Sequence, residues 1–379
     1  MPRVASHCVL HNEKGLREIR KIIDVKNHFW EMFDRKTGFY MRSGVIENGK
    51  DTGVDPFMRS FPALLDVGIM GHCKHGASGL CIKSGVECYQ NGLGVQNPNM
   101  TVEDFRRLAE DCSGKCLQFA LGGRGDPDQH ENFEEILKIC RENDIVPNFT
   151  SSGLGLTEEI ANLCKEYCGA VAISWYNQPH TFRAIQMLLD ARVKTNIHYV
   201  LGNFSIDDAI RRLREKDFPK GINAVIFLLH KPVGLGKENN VLKADDPRVA
   251  EFFTLVDNGD YDFKIGFDSC SIPGILSFTK NIDKNSIDTC EGGRFSAYVT
   301  SDMKMLPCSF DNQEMNWAYD ISNDTVENAW NSPQFEDFRE HFKKSCPSCP
   351  DRLMCMGGCP IRPQVVLCNR KEKSKGEIV

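Results

Sequence analysis

The chain has 379 residues, 41% hydrophobic and 26% charged, ordinary globular proportions with room for one large core and a smaller appendage. No apolar run reaches the roughly 18 residues that would cross a bilayer, and the opening MPRVASHCVLHNEKGLREIRK lacks the apolar segment and cleavage site of a secretory signal, which points to the cytoplasm and no membrane partner. A net charge of −6 makes nucleic acid a weak candidate partner.

Residues 1–60 read as an extension: a helix over Leu16 to Phe33, then a hairpin through TGFYMRSGVIENGKDTG. From Phe61 to Glu251 short apolar runs alternate with amphipathic stretches, the βαβα signature of a parallel sheet or barrel. Six strands are predicted, at Ala63–Met70, Cys116–Leu121, Val146–Thr150, Ala170–Trp175, Lys194–Val200 and Ala224–Leu229. Helical patterns lie between them at Thr101–Glu110, Asn132–Asn143, Thr157–Tyr167, His180–Ala191 and Ile206–Lys216, and a sixth covers Pro247–Val256. Thr101, Thr157 and Ser205 stand where N-caps belong. Six β/α units fall short of a closed eight-stranded barrel, so residues 61–260 are expected to form an open, partial barrel with its functional groups at the strand C-terminal ends. Beyond about residue 260 cysteines, glycines and prolines take over. A loop-rich domain over 261–379 buries little apolar surface per residue, so bound metal would supply part of its folding free energy.

Seventeen cysteines in a chain without an export signal point to thiolates that bind metal rather than to disulfides. Cys73, Cys81 and Cys88 form a C-x7-C-x6-C group directly after the first predicted strand. Three thiolates on a four-iron cubane leave one iron open to an external ligand. A zinc site completed by His72 or His75, or unpaired core thiols, fits the same spacing. Gly122, Gly123 and Asp126, in LGGRGDP at the end of the second strand, allow close backbone approach to a ligand with a carboxylate beside it; a glycine-rich turn with Asp126 as a helix cap reads equally well. Ser174 ends the fourth strand, Thr150-Ser151-Ser152-Gly153 the third, and His198 and Lys231 lie at or beyond later ones. Toward the C-terminus, CPSCPDRLMCMGGCPIRPQVVLC places Cys346, Cys349, Cys355, Cys359 and Cys368 in one run, with Cys270, Cys290 and Cys308 upstream. Eight thiolates suffice for two fully ligated cubanes; a pair of zinc ribbons is the other reading. The remaining six, Cys8, Cys112, Cys116, Cys140, Cys164 and Cys168, read as structural thiols.

Together these motifs resemble the radical S-adenosylmethionine (SAM) enzymes that carry a SPASM extension. The resemblance covers about Phe61 to Cys368. It rests on the C-terminal cysteines at every position, on the cysteine group after the first strand ending in Cys88-Tyr89, and on LGGRGDP in the place of the family's Gly-Gly-Glu-Pro. The front loop departs from the family's C-x3-C-x2-C as an expanded variant, and Met303 stands where glycine is usual. The resemblance implies a partial (β/α)6 barrel with a C-terminal loop-rich iron–sulfur SPASM domain, and three [4Fe-4S] clusters. Cys73, Cys81 and Cys88 would hold the SAM-binding cluster. Cys346, Cys349, Cys355 and Cys368 would hold a distal auxiliary cluster, and Cys270, Cys290, Cys308 and Cys359 a proximal one. Gly122, Gly123, Asp126 and Ser174 would contact SAM. It further implies a peptide or protein substrate, with a small-molecule substrate or sulfatase-type maturation as alternatives, and a reductant such as flavodoxin or ferredoxin. A full winged-helix peptide-recognition domain does not fit before Phe61. A non-catalytic zinc or electron-transfer module is the rival of another class.

Overall fold

The computed structural model describes residues 6–12, 15–76, 79, 83 and 87–369; Cys81 lies outside them. The helix expected over Leu16 to Phe33 is overturned. Strands β1 (Ser6–Asn12), β2 (Gly15–Asp24), β3 (Phe29–Asp34) and β4 (Tyr40–Arg42) form an antiparallel sheet in that order. The physical reason lies in which side chains face inward. On β2 these are Arg20, Ile22 and Asp24, and on β3 Phe29, Glu31 and Phe33, all buried. Charges at inward positions erase the period-two hydrophobic pattern, and Arg, Lys and Glu are good helix formers in isolation. The hairpin expected after it forms as β5 (Ile46–Glu47) and β6 (Lys50–Asp51). Asn48 and Gly49 turn it with φ of 51° and 77°, the left-handed pair of a tight hairpin turn.

The inward charges are paired. The Arg59 guanidinium donates to Glu31 at 2.8 Å and to the carbonyls of Phe61, Pro62 and Lys115 at 2.8, 3.1 and 2.8 Å. Both side chains are almost inaccessible. Arg59→Ala would strand the Glu31 carboxylate in that environment, and a loss of about 3 kcal/mol or more is expected; a urea midpoint shifted by less than about a third of that would show that Glu31 finds other partners.

The α/β unit follows the predicted order. Its strands are β7 (Leu64–Met70), β8 (Gln118–Gly123), β9 (Val146–Ser151), β10 (Val171–Ser174), β11 (Thr195–Leu201) and β12 (Ala224–Leu229). They alternate with α1 (Val102–Cys112), α2 (Phe133–Glu142), α3 (Glu158–Tyr167), α4 (Pro179–Asp190), α5 (Ile206–Glu215) and α6 (Pro247–Asn258). Thr101 and Thr157 cap α1 and α3 by accepting from the Asp104 and Ile160 amides at 3.1 and 3.2 Å. Ser205 sits at the start of α5 but makes no cap; its hydroxyl donates to the Val200 carbonyl at 2.7 Å.

The sheet runs further than six strands. A short seventh parallel strand, β13 (Lys264–Phe267), adds beyond β12, and β14 (Ser296–Val299) pairs parallel to β7 at the other side. β15 (Lys304–Leu306) and β16 (Tyr319–Asp320) extend it, giving the order β13-β12-β11-β10-β9-β8-β7-β14-β15-β16. The C-terminal region is thus stitched to the barrel through β14. It continues with α7 (Ile272–Phe278, before β14), α8 (Val326–Trp330), α9 (Pro333–Lys344) and α10 (Arg352–Cys355).

Along β11 the residues Thr195, Ile197, Tyr199 and Leu201 are buried under the helices, while Asn196, His198 and Val200 alternate with them at half-buried positions on the opposite face. One side of the sheet is therefore a closed core and the other is polar enough to line a site. Cys112, Cys116, Cys140 and Cys164 are fully buried in that core. No helix of the described residues is long and apolar enough to cross a membrane.

Candidate metal centres

Cys73 follows β7 and begins the front loop. The Gly92 amide points at the Cys88 sulfur, 3.5 Å away. A Cβ placed on Gly92 would stand 3.7 Å from the Cys88 sulfur and 3.9 Å from that of Cys73. Both sulfurs therefore lie within 4 Å of one point, with glycine leaving room beside them. Burial pushes the Cys73 thiol up, and the amides of His75 and Gly76 act against this by donating to the sulfur. Amide donors aimed at a thiolate are what a cluster ligand needs once bound.

The glycine-rich segment lies directly on this loop. Gly123 and Gly125 have φ of 112° and 148°. A side chain on Gly123 would run into the Met70 carbonyl, and one on Gly125 would stand 2.8 Å from the His72 carbonyl and 3.2 Å from the Cys73 Cα. Gly122 meets nothing within 4 Å, so its surface is open. Asp126 precedes a 3₁₀ turn, Pro127–Gln129, but its side chain makes no cap bond there. Its carboxylate instead accepts the Ser152 amide at 2.8 Å and the Ser152 hydroxyl at 2.5 Å, with His75 Nε2 at 3.5 Å. Burial, then Asp128, raise its pKa to about 6, and the Ser152 bonds oppose them. The carboxylate thus ties the ends of β8 and β9 to the front loop. Sequence reasoning placed Ser152 at the end of the third strand but did not pair it with Asp126.

Ser174 ends β10 in register with His198 of β11. His198 Nδ1 and the Thr150 hydroxyl are 3.1 Å apart. Burial lowers the His198 pKa to about 4, with Asp268 opposing, so the ring is neutral near pH 7 and serves as a hydrogen-bonding group.

Four C-terminal cysteines come together. Cys270 follows β13, and its thiol hydrogen-bonds Cys359. Cys290 and Cys308 lie beside them, and all four pack in one apolar group containing Phe338, Phe342 and Ile361. Amides again face the sulfurs: Gly292 to Cys290, Phe310 to Cys308, and Arg362 to Cys359 at 3.3 Å. This donor set fits a four-iron cluster. Cys346 and Cys349 share a turn closed by a 3.1 Å bond from the Cys349 amide to the Cys346 carbonyl. Cys355 ends α10, and the left-handed Met356, Gly357 and Gly358 lead to Cys359.

Side chains distant in sequence join the two cysteine regions. Asn312 donates to Gln90 at 2.6 Å, both buried, and the Tyr89 and Phe310 rings are 5.3 Å apart. Lys231 is ion-paired with Asp268, donates to the Leu229 carbonyl at 2.8 Å and lies over the Phe310 ring at 4.5 Å. These residues place the front loop and the Cys308 turn in one interior.

Residues 290–351 match the family model of SPASM, the iron–sulfur cluster-binding domain. This segment is a SPASM domain. The match includes Cys290, Cys308, Cys346 and Cys349, and the SPASM hairpin β14–β15 is the part that pairs with the barrel. The chain is similar in fold to Streptococcus suis SuiB bound to its precursor peptide SuiA, with a TM-score of 0.60, 16% identity, and coverage of 80% of this chain and 73% of that one. It is similar to anSMEcpe with bound AdoMet at TM-score 0.57, 19% identity and coverage of 83% and 92%. With AdoMet and the Cp18Cys peptide bound, anSMEcpe gives 0.56, 19%, and coverage of 83% and 91%. A search of the curated proteins finds no match. The expected architecture, a partial parallel barrel followed by a SPASM domain, is the one observed.

Proposed function

We propose that this protein is a radical SAM enzyme that modifies a ribosomally made peptide or a protein side chain. The reading is carried by the packing of the glycine-rich segment onto the Cys73–Cys88 loop at the strand C-terminal ends. Nothing local in either motif requires that approach. Bound at these residues, a SAM-ligated four-iron cluster would supply one-electron reductive cleavage of SAM and, through it, hydrogen-atom abstraction from a substrate.

The chain's own residues position and enclose. Cys73, Cys81 and Cys88 would hold the SAM cluster by three irons. Gly122 and Gly123 leave backbone exposed for the ligand's amino-acid end, the Asp126–Ser152 pair fixes the mouth beside it, and Ser174 with neutral His198 offers hydrogen bonds further along. Cys270, Cys290, Cys308 and Cys359 would hold a proximal auxiliary cluster, and Cys346, Cys349, Cys355 and Cys368 a distal one, to relay an electron supplied by a flavodoxin or ferredoxin. Such thiolates belong in a reducing cytoplasm. Peptide as the substrate class is supported by the peptide-bound neighbours SuiB and anSMEcpe. Anaerobic incubation with SAM and dithionite tests the reading: 5′-deoxyadenosine is expected, and its absence from iron-replete protein would reject it.

Asp126→Ala is expected to weaken SAM binding about tenfold, the scale of one charge-assisted contact, measured by anaerobic equilibrium dialysis. Ser152→Ala should reproduce part of that loss, because the carboxylate then loses its anchor. Unchanged affinity in both variants would make the pair a purely structural tie.

A further inference from the structure

Among the described residues the parallel sheet ends at β13, which pairs with β12 and has no strand on its other side. The other side of the barrel is β14 on β7, so the chain must cross the gap between the two sides, and residues 282–291 lie on that crossing. Between β13 and this crossing is a cleft of about 510 Å³, walled by Ile265, Phe267, Ile272 and Ile287 and carrying the carboxylates of Asp268, Asp288 and Glu291. It reaches the immediate neighbours of Cys270 and Cys290, Ser269 on one wall and Thr289 and Glu291 on the other.

The register explains what this edge offers. Lys264 and Asp268 donate inward to the Asn223 and Phe227 carbonyls at 3.0 and 3.1 Å. Parallel pairing uses alternate residues, so Ile265 and Phe267 turn their amides and carbonyls to the open side. An unpaired edge of this kind is a template for another strand. No lysine or arginine lines the cleft. Arg42 meets Asp288 at 3.0 Å and Glu291 at 3.1 Å, and Lys231 meets Asp268, so two cations face these three carboxylates and one negative charge is left over at the cleft.

We propose that this cleft docks the peptide substrate, which adds to the free edge of β13 as a short extended strand bearing apolar and basic side chains. The inference rests on the peptide reading above and specifies where that peptide binds. Four residues of β13 span about 13 Å, enough to pair a segment of four or five residues. The added strand would run along the edge toward Cys270, so its end is delivered beside the proximal cysteines.

The test uses full-length, iron-loaded protein and fluorescein-labelled Val-Lys-Val-Lys-Val, with two controls: the same peptide N-methylated at alternate residues, and Val-Glu-Val-Glu-Val. The lysine peptide is expected to bind and to slow amide exchange of Ile265 and Phe267 at least about fivefold. N-methylation should weaken binding about tenfold, the effect of one or two lost backbone hydrogen bonds, and the glutamate peptide should bind more weakly still. Ile265→Pro, which removes an outward amide, and the exposed-site variant Asp288→Lys should each weaken binding severalfold. Equal binding of the N-methylated peptide, unchanged exchange at these two amides, or no binding would overturn the proposal. Peptide-independent 5′-deoxyadenosine formation is followed in the same samples. Its loss from the unsubstituted protein counts against the enzymatic reading alone, since docking is read from binding and exchange.

Discussion

Replacing Cys73, Cys81 and Cys88 together with alanine is expected to reduce 5′-deoxyadenosine formation to the uncatalysed background, a fall of about a thousandfold or more, while the auxiliary iron stays. The magnitude follows from the role. Without the three thiolates no iron is held where SAM can bind it, and positioning by the remaining residues cannot substitute for the electron donor. The selectivity follows from the layout. Cys270, Cys290, Cys308 and Cys359 sit in an apolar group with Phe338, Phe342 and Ile361, so their ligation does not use the front-loop thiols, although Tyr89–Phe310 and Gln90–Asn312 join the two regions. On the proposed three-cluster reading, iron content should drop by about four of twelve per chain. Retained 5′-deoxyadenosine, or loss of all iron together, would contradict separate sites. The core thiols Cys112 and Cys140 offer a control: burial pushes both well up from the ordinary thiol range, so alanine there should affect stability by cavity formation rather than iron.

The barrel was legible because its periodicity and punctuation agree. Thr101 and Thr157 occupy caps that the structure uses, and each strand reads as a short β-branched or aromatic run. The N-terminal sheet was illegible because its inward face carries Arg20 and Glu31, which are met by Asp144, the Cys116 carbonyl and Arg59 from other parts of the chain as well as by Tyr40. β13 was missed for another reason: four residues with Gly266 among them carry too little pattern to separate a strand from a loop. At the site, the cysteines announced themselves by residue type and spacing. Their surroundings did not. Ser152 claims Asp126 across 26 positions and Asn312 claims Gln90 across 222, pairings that only the fold creates. Local reading put Asp126 on a helix cap or a ligand, whereas its observed bonds join two strand ends.

Cys270→Ala carries the second large effect and bears on mechanism. The unsubstituted protein is expected to bind its proximal cluster through four cysteines, and the variant should lose most of that cluster's iron and destabilise the SPASM domain, because a loop-rich region relies on metal for part of its folding free energy. The basis is positional. Cys270 is the cysteine just beyond β13, where the chain leaves the barrel, and it packs with Cys290, Cys308 and Cys359 in one apolar group. A fully ligated proximal cluster favours electron relay, since direct coordination of a substrate thiol or amine needs a vacant iron. Lys231, 1% exposed, is ion-paired with Asp268 beside this thiol, so substitution also alters the packing around a buried ammonium group. Cys270→Ser separates the two effects: it preserves volume while replacing a strong iron ligand with a weak one. Iron loss in both variants, with near-native thermal unfolding of the barrel, supports ligation. Full iron and an unchanged electron paramagnetic resonance spectrum in both would show that the cluster lacks Cys270 as a ligand and is either open at one iron or ligated there by another group.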